Sequence, residues 1–389
     1  MEISVHPKKC KAVVFSRERN PPNPILKLGN HIIPIENSID HVGLPLTNSN
    51  SVKEYMDTRI SKGRRAMIAY LGTTASNNNP TNPLTASKIY WSICFPTMTY
   101  GMSLLPLKDT DYDRLETAHR GIAKKIQGLP ITTSNQATIQ QLGWRDVTSK
   151  IVVDKIMLVW QLLSLPMNNV YKMIAIMRII AYRTRDLALV SPIGDCMRVA
   201  ERLGIQHKIY DMIDTGMVPS KCEWKKMVSD NTREYAMWQW KIQCMFNHNA
   251  SLYRNVIRFD TPIVWWKIAF RECQYIRICK TMMILLTGGS NLCAITGKWG
   301  DMKDRHNGRL CKACGEEDET LEHFMLKCKY FSAERKIILD IVKNHSLILN
   351  QSNEQILRLI FGENEQLAPD QYILIAKNVH KMYTCESRM

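Results

Sequence analysis

The stretch CKACGEEDETLEHFMLKC, residues 311–328, decides how the C-terminal region of this chain folds. It follows the pattern C-x2-C-x8-H-x4-C. Zn²⁺ takes four nitrogen or sulfur ligands in a tetrahedron, and Cys311, Cys314, His323 and Cys328 supply four such groups. Because all four positions are protein groups, the pattern predicts a structural zinc ion rather than a catalytic one. The alternative is a chance grouping of small buried thiols beside a surface histidine.

The residues between the ligands add local detail. Gly315 follows the second cysteine and can adopt the unusual backbone angles that a zinc knuckle favours. The acidic run Glu316–Glu319 leads into Thr320-Leu321-Glu322, a plausible helix start with negative charge at its N-terminus. In an α-helix, residues five apart are rotated by about 140° beyond a full turn and rise about 7.5 Å. We therefore expect the helix to end or loosen just before Cys328, so that His323 and Cys328 can reach one ion.

The other cysteines carry no comparable pattern. The chain has twelve, and nine are scattered, mostly through apolar or helical-looking stretches. The N-terminus, MEISVHPKKC, has no apolar signal core, so we expect reduced thiols and an intracellular protein, nuclear or cytoplasmic. No apolar run approaches the roughly 18–20 residues of a membrane span, so we expect no membrane partner.

Charge suggests a polyanionic partner. The 389 residues include 45% apolar residues, which excludes a fully disordered or fibrous chain, and the formal net charge is +16. The surplus lies in residues 1–290, because residues 291–389 carry 14 basic and 14 acidic side chains. A basic surplus over folded sequence favours nucleic acid as the partner. The alternative is a basic protein without such a partner.

Periodicity predicts a mainly α fold with a small β-rich N-terminal part. Lys11–Ser16 reads as a strand, Ile25–Leu28 and His31–Ile35 flank Gly29-Asn30 as in a tight hairpin, and His41–Leu46 closes this part. Apolar residues recur at helical spacing from Ser51 onward. Further helices are predicted over Thr85–Met102, Tyr112–Gln127, Asn135–Leu142, Val147–Leu163, Val170–Tyr182, Gly194–Leu203, Glu223–Val228, Thr232–Phe246 and Pro262–Leu286. The tryptophans Trp238, Trp240, Trp265 and Trp266 are expected in the core rather than stacked on bases.

Two acidic motifs are tempting but weak. Tyr55-Met56-Asp57-Thr58 looks like the Y-x-D-D loop of reverse transcriptases, yet the second aspartate is absent and the stretch has helical period. Asp109, Asp111 and Asp113 alternate just before a predicted helix, which fits a solvated N-terminal turn better than a metal clamp. Two-metal phosphoryl transfer needs clustered carboxylates, so we assign no catalytic residue.

Three separated stretches together resemble the C-terminal part of a non-LTR (LINE-type) retrotransposon reverse transcriptase. His6–Ser16 with Ile25–Leu46 is similar to the strand and hairpin that follow the catalytic loop in that family. Tyr90–Gly101 with Leu115–Gly143 is similar to the thumb, including Gly128-Leu129-Pro130 and Gln141-Leu142-Gly143. Leu310–Phe331 is similar to the family's zinc-binding region.

The resemblance implies that part of the enzyme is missing. The family's catalytic aspartates lie upstream of the segment matched by residues 1–16, so we expect a chain that cannot polymerise alone, and Mg²⁺ only in the full-length enzyme. Because 61 residues follow Cys328 in this sequence, we expect no nuclease domain after it. Insertions truncated at the 5′ end would give an open reading frame of this kind.

The resemblance also implies four regions and a set of contacts. The regions are a palm remnant (1–50), a thumb-like helical region (51–165), a helical connection (166–290) and a zinc-binding region (291–389). RNA or DNA phosphates would be contacted by Lys9, Lys62, Arg64, Arg65, Lys124 and Lys125. The alternative for residues 62–65 is a solvated helix face. Two other functions stay open: a self-standing zinc-containing nucleic-acid-binding or regulatory protein, and an active RNA-directed DNA polymerase whose upstream part is absent from this sequence.

Overall fold

The computed structural model describes residues 6, 10–16, 24–48, 52–74, 81–184, 191–246, 251–297, 307–344 and 352–385. These residues are mostly helical, with two small antiparallel sheets near the N-terminus, as the periodicity predicts. Within them, no helix is long and apolar enough to cross a membrane.

Most of the described residues from Lys53 onward lie in helices. In chain order the α-helices are Lys53–Thr74 (α1), Pro83–Ile89 (α2), Phe95–Thr99 (α3), Asp109–Gln127 (α4), Asn135–Thr138 (α5), Val147–Leu163 (α6), Val170–Arg183 (α7), Pro192–Arg202 (α8), Gln206–Thr215 (α9), Lys221–Met245 (α10), Ser251–Val256 (α11), Val264–Arg271 (α12), Ile276–Leu286 (α13), Cys293–Thr296 (α14), Ser332–Lys343 (α15), Asn353–Phe361 (α16) and Pro369–Tyr383 (α17). Single turns of π-helix span Tyr90–Cys94 and His323–Lys327, and 3₁₀ turns span Cys273–Tyr275, Asn307–Arg309, Lys329–Phe331 and Glu363–Glu365.

The two sheets are hairpins. Leu26–Leu28 (β1) pairs with His31–Ile33 (β2) across a turn in which Gly29 has φ +58°, which confirms the predicted hairpin. Ser38–His41 (β3) pairs with Leu44–Thr47 (β4).

The predicted strand over Lys11–Ser16 is wrong. It makes one isolated parallel bridge, between Ala12 and Ile35. The neighbouring Pro34 accepts a hydrogen bond from the Ala12 N–H but has no N–H of its own, so the ladder cannot extend through it.

Several of the predicted helices are also wrong. The helix expected over Asn135–Leu142 ends at Thr138. The two helices expected over Glu223–Val228 and Thr232–Phe246 are the single helix α10, because Trp224, Val228, Thr232, Ala236, Trp240 and Cys244 form one continuous buried stripe. The helix expected over Pro262–Leu286 is divided into α12 and α13 at Glu272, whose backbone is extended. The helix expected over Thr85–Met102 contains the π turn just before Pro96, which has no N–H to continue the α-helical ladder.

Contacts between residues divide the chain into two compact units. The four regions expected from the resemblance are not tested by this division and remain predictions. Unit 1 comprises Met1–Gly63, Thr97–Asp113 and Asp154–Val218. Within it, the β3–β4 hairpin packs on α1: Tyr55 donates a hydrogen bond to the Tyr100 carbonyl, Tyr100 donates to the Val42 carbonyl, and the Arg59 guanidinium lies 4.4 Å from the Tyr100 ring centroid. The hairpin region also presents exposed apolar side chains, including Ile25, Ile32 and Val42.

Unit 2 comprises Arg64–Pro96, Arg114–Val153 and Pro219–Met389 and contains an aromatic core. Tyr90 stacks on Trp144 with ring centroids 4.3 Å apart. Trp265 and Trp266 are fully buried. The Trp265 indole N–H donates a hydrogen bond to the Phe361 carbonyl, and the Trp266 indole N–H donates one to Gln127 Oε1. These residues and the buried Trp240 confirm the core prediction, but Trp238 is 55% exposed, so the prediction is wrong there.

Candidate metal centre

A tight hairpin-like loop in unit 2 carries Cys311 and Cys314. Leu310 forms an antiparallel bridge with Asp318, and the Cys311 N–H donates to the Glu317 carbonyl at 2.8 Å. The loop closes through a 2.7 Å hydrogen bond from the Gly315 N–H to the Cys311 carbonyl. Gly315 has φ +73°, a conformation that favours glycine and confirms the role expected from its place after the second cysteine.

A π-helical turn carries the other two ligand candidates. The Thr320 hydroxyl accepts the His323 N–H at 3.0 Å and caps the helical turn that begins at Leu321. The Cys328 N–H then donates to the His323 carbonyl at 2.8 Å, a bond between residues five apart. This wider turn brings Cys328 back towards His323, and Cys328 itself leaves the helix with ψ 117°. The expectation that the helix loosens before Cys328 is confirmed.

The four side chains meet at one point. The three Sγ atoms and one imidazole nitrogen all lie within 4.8 Å of one another. Zn–S and Zn–N bond lengths in a regular tetrahedron require separations of about 3.8 Å between two sulfurs and about 3.6 Å between sulfur and nitrogen. The Cys311 and Cys328 sulfurs are 3.8 Å apart, and Cys314 Sγ lies 3.3 Å from His323 Nε2. The cluster can therefore hold a metal ion with little rearrangement.

The cluster is enclosed by protein. Cys311, His323 and Cys328 are buried, and Cys314 is half-buried. Arg335 of α15 donates hydrogen bonds to the Met325 and Cys328 carbonyls, which fixes the end of the π turn.

Two glutamates support the ligands from outside. Glu317 Oε2 lies 3.0 Å from His323 Nδ1, so Nδ1 carries the proton and Nε2 faces the cluster. Glu319 is buried, accepts the Cys293 N–H at 2.8 Å and lies 3.9 Å from Cys311 Sγ. From the sequence, the acidic run was expected only to favour a helix N-terminus. The signal for these outer contacts was the presence of Glu317 and Glu319 between the predicted ligands. The sequence held no signal for the contacts of Arg335.

The environment distinguishes the thiols. Burial alone would raise the pKa of Cys314, but hydrogen bonds, the strongest from the Glu316 N–H, lower it to about 7. Burial raises the pKa of Cys311 to about 12 and also raises the pKa of Cys328. In the absence of a cation, Cys311 and Cys328 therefore keep their protons. Metal binding must release these protons.

The predicted phosphate contacts have different surroundings. Lys62, Arg64 and Arg65 are exposed on α1, and Lys125 is exposed on α4. Lys124 is half-buried and donates to the Ile131 carbonyl at 2.8 Å and to Asn135 Oδ1 at 3.1 Å. Burial lowers the pKa of Lys124, and the charge of Arg120 lowers it further. Lys9 lies outside the described residues.

Arg64, Lys124 and Lys125 line one groove of unit 2. Sequence spacing alone did not indicate this, because α1 and α4 are separated in the chain.

The acidic motifs have structural partners. Tyr55–Thr58 lies within α1, with Met56 fully buried, as its helical period predicts. Asp109 pairs with Arg202 at 2.6 Å, and Asp111 accepts the Lys108 N–H at the start of α4.

No known protein family model, curated protein or solved structure matches the chain.

Proposed function

We propose that the Cys311–Cys314–His323–Cys328 cluster binds one Zn²⁺ ion in a structural role. The positions of the four ligand atoms carry this proposal, because the atoms lie within 4.8 Å of one another and two of their separations, 3.8 Å and 3.3 Å, are close to those of a zinc tetrahedron. Three thiolates and one imidazole favour zinc over Mg²⁺ or Ca²⁺, which take oxygen ligands. The burial of the ligands supports a role in holding the surrounding fold.

Metal analysis of the purified chain tests this proposal. We expect about one zinc per chain by elemental mass spectrometry, and the tetrahedral thiolate spectrum after Co²⁺ exchange. Cys314→Ser should lower the zinc content and weaken the thiolate-to-cobalt absorption. Cys222→Ser, at an exposed cysteine of α10, is the matched control and should leave both unchanged. Equal zinc content in the two variants would refute the ligand assignment.

We further propose that the chain is part of a LINE-type reverse transcriptase, lacks the polymerase carboxylates and binds RNA or DNA. Support comes from the order of the three matching stretches and from the basic surplus in residues 1–290. The exposure of Lys62, Arg64 and Arg65 leaves these cations accessible to phosphates. Such contacts read little sequence and weaken as salt rises.

Binding of a fluorescent RNA–DNA hybrid, measured by anisotropy at several salt concentrations, tests the second proposal. The double variant Lys62→Glu/Arg65→Glu should weaken binding and lower the salt slope by about one for each phosphate that the variant no longer neutralises. Lys225→Glu/Lys226→Glu changes the net charge equally on exposed positions of α10 and is the control. Equally weakened binding in both variants would show that only overall charge matters.

Primer extension tests the polymerase part of the proposal. We expect no extension of a primer on an RNA template with deoxynucleotides and Mg²⁺. Measurable extension that survives repurification would refute the assignment of no catalytic residue.

A further inference from the structure

An aliphatic groove lies on unit 2 between the C-terminal part of α1 and the C-terminal part of α4. Met67, Ile122 and Leu129 are buried and form its floor. Ile68 and Leu71 of α1 stand along one side. The α1 residues of the groove (64, 67, 68 and 71) recur at i, i+3, i+4 and i+7, so they share one helix face.

The groove is open and its rim is exposed. It has a volume of about 260 Å³, room for a few apolar side chains. Ile68 is 49% exposed and Ile131 is 88% exposed, so their apolar surfaces face solvent. Gly121 of α4 also lines the groove, and a Cβ added there would meet no atom within 4 Å.

The charge of the groove has one sign. Arg64, Lys124 and Lys125 line it, and none of its described lining residues is acidic. Lys124 holds the wall in place through its hydrogen bond to the Ile131 carbonyl. Among the described residues, Arg64 and Lys125 make no ion pair, which leaves both charges available to an anionic partner.

We propose that this groove binds an amphipathic helix of a partner protein, with Leu, Ile or Phe on one face and Asp or Glu beside them. Two helices with an aliphatic channel between them present the surface into which a third helix packs, and the cations complement flanking carboxylates. Nucleic acid fits the floor less well, because bases stack on aromatic side chains and the lining has none. This inference goes beyond the proposed nucleic-acid binding and does not depend on it.

A synthetic peptide tests the groove. The probe is a fluorescein-labelled, end-blocked helix of about 18 residues with Leu at i, i+3, i+4 and i+7 and Glu at the flanking positions. One control peptide has the same composition in scrambled order, and a second has Lys in place of Glu. Binding to the full, zinc-loaded chain is measured by anisotropy. We expect saturable binding of the first peptide, and at least about tenfold weaker binding of both controls.

Groove variants locate the binding. Gly121→Leu adds an aliphatic side chain to the groove at a position where a Cβ meets no atom within 4 Å, and it should weaken peptide binding about tenfold, whereas Gly121→Ala should change it by less than about threefold. Ile131→Glu places a carboxylate on an exposed rim position and should weaken binding of the acidic peptide about tenfold, while Ile131→Gln retains most of it.

Three results would overturn the proposal. These are no binding of the acidic helix up to about 1 mM, equal binding of the scrambled peptide, or unchanged binding by Gly121→Leu. Arg64, Lys124 and Lys125 line the groove and are also predicted phosphate contacts, so a competition experiment is needed to distinguish the two partners. If the RNA–DNA hybrid displaces the peptide and Gly121→Leu weakens the binding of peptide and hybrid equally, the groove is a nucleic-acid site. Lys62→Glu/Arg65→Glu should affect the hybrid alone, because neither residue lines the groove, so the two proposals fail separately.

Discussion

Single residues outside the ligand set control how the metal cluster is held. His323 has two ring nitrogens, and only the contact of Nδ1 with Glu317 directs Nε2 towards the thiols. The neighbouring Glu316 instead pairs with Lys329. Two adjacent glutamates therefore have separable roles.

We predict that Glu317→Gln weakens zinc binding by about 10–100-fold, the usual cost of removing a carboxylate that supports a metal-bound histidine. Competition with a chromophoric chelator measures the affinity. Glu316→Gln removes the same charge from the adjacent residue and should change the affinity for zinc by less than about threefold. Equal effects would show that the acidic run acts through its total charge rather than through His323.

Glu116 is a buried carboxyl that titrates abnormally. It accepts hydrogen bonds from the Thr148 N–H at 2.8 Å and the Thr148 hydroxyl at 2.7 Å. Burial raises its pKa above the usual range, and the charge of Asp146 raises it further. The folded state therefore binds a proton on Glu116 more tightly than the unfolded state does.

Glu116 should accordingly make stability fall as pH rises. Its favourable contribution is complete below the ordinary pKa of a glutamate and is lost as pH rises through the raised pKa. We predict that Glu116→Gln, which can still accept both hydrogen bonds, becomes progressively more stable than wild type between about pH 4.5 and pH 7. Urea unfolding at several pH values measures the difference. Asp113→Asn, at an exposed position of α4, should show no such trend.

At the level of elements, one glycine allows two distant segments to approach. Gly143 has φ +67°, and a Cβ there would lie 2.6 Å from Pro262 Cδ. This approach permits the antiparallel bridge between Leu142 and Pro262 and the 3.0 Å hydrogen bond from the Ile263 N–H to the Gln141 carbonyl. The motif Gln141-Leu142-Gly143 thus joins the end of one helical segment to the start of α12.

We predict that Gly143→Ala lowers the free energy of unfolding by more than about 1 kcal/mol, because both φ and the close approach of Pro262 oppose a side chain. Gly121→Ala is the matched control within α4, where added helix propensity should raise stability by up to about 1 kcal/mol. Thermal and urea unfolding measure both. If Gly143→Ala is as stable as wild type, the close approach at Pro262 is not required.

At the scale of the whole molecule, the Cys311–Cys314–His323–Cys328 cluster is connected to a limited part of the chain. It connects α14 through Glu319 and Cys293 and connects α15 through Arg335. All of these contacts lie within unit 2. Unit 1 has its own buried ion pair, between Lys155 of α6 and Asp195 of α8, at 2.7 Å.

We predict that chelating the metal increases hydrogen exchange in residues 307–344 and leaves α8 unchanged. An ion bound only by the folded state stabilises that state, and the effect is largest where its ligands lie. Mass spectrometry of exchanged peptides, with and without a chelator, measures this. Cys314→Ser without chelator should give the same pattern. An equal increase of exchange in α8 would show that the cluster stabilises the entire chain.

The features of the fold that the sequence predicted are those that depend on residues close together in the chain. Helical periodicity and the turn at Gly29-Asn30 predicted most of the helices and the first hairpin, because these features depend on residues a few positions apart. The break at Glu272 and the continuity of α10 escaped prediction. Both depend on which apolar side chains a neighbouring element buries, and a single sequence does not contain that information.

The sequence by itself predicted the cluster of Cys311, Cys314, His323 and Cys328, which could hold a metal ion. Its four ligands lie within eighteen residues, so knuckle and helix geometry were enough to bring them together and to require a loosened turn before Cys328. Only the tertiary structure decided what surrounds the cluster and the cations: Arg335 on the π turn, the raised pKa of Glu116 beside Asp146, and the groove that Arg64 shares with Lys125. These depend on packing between segments that are distant in the chain, where the burial of side chains rather than their spacing fixes the neighbours.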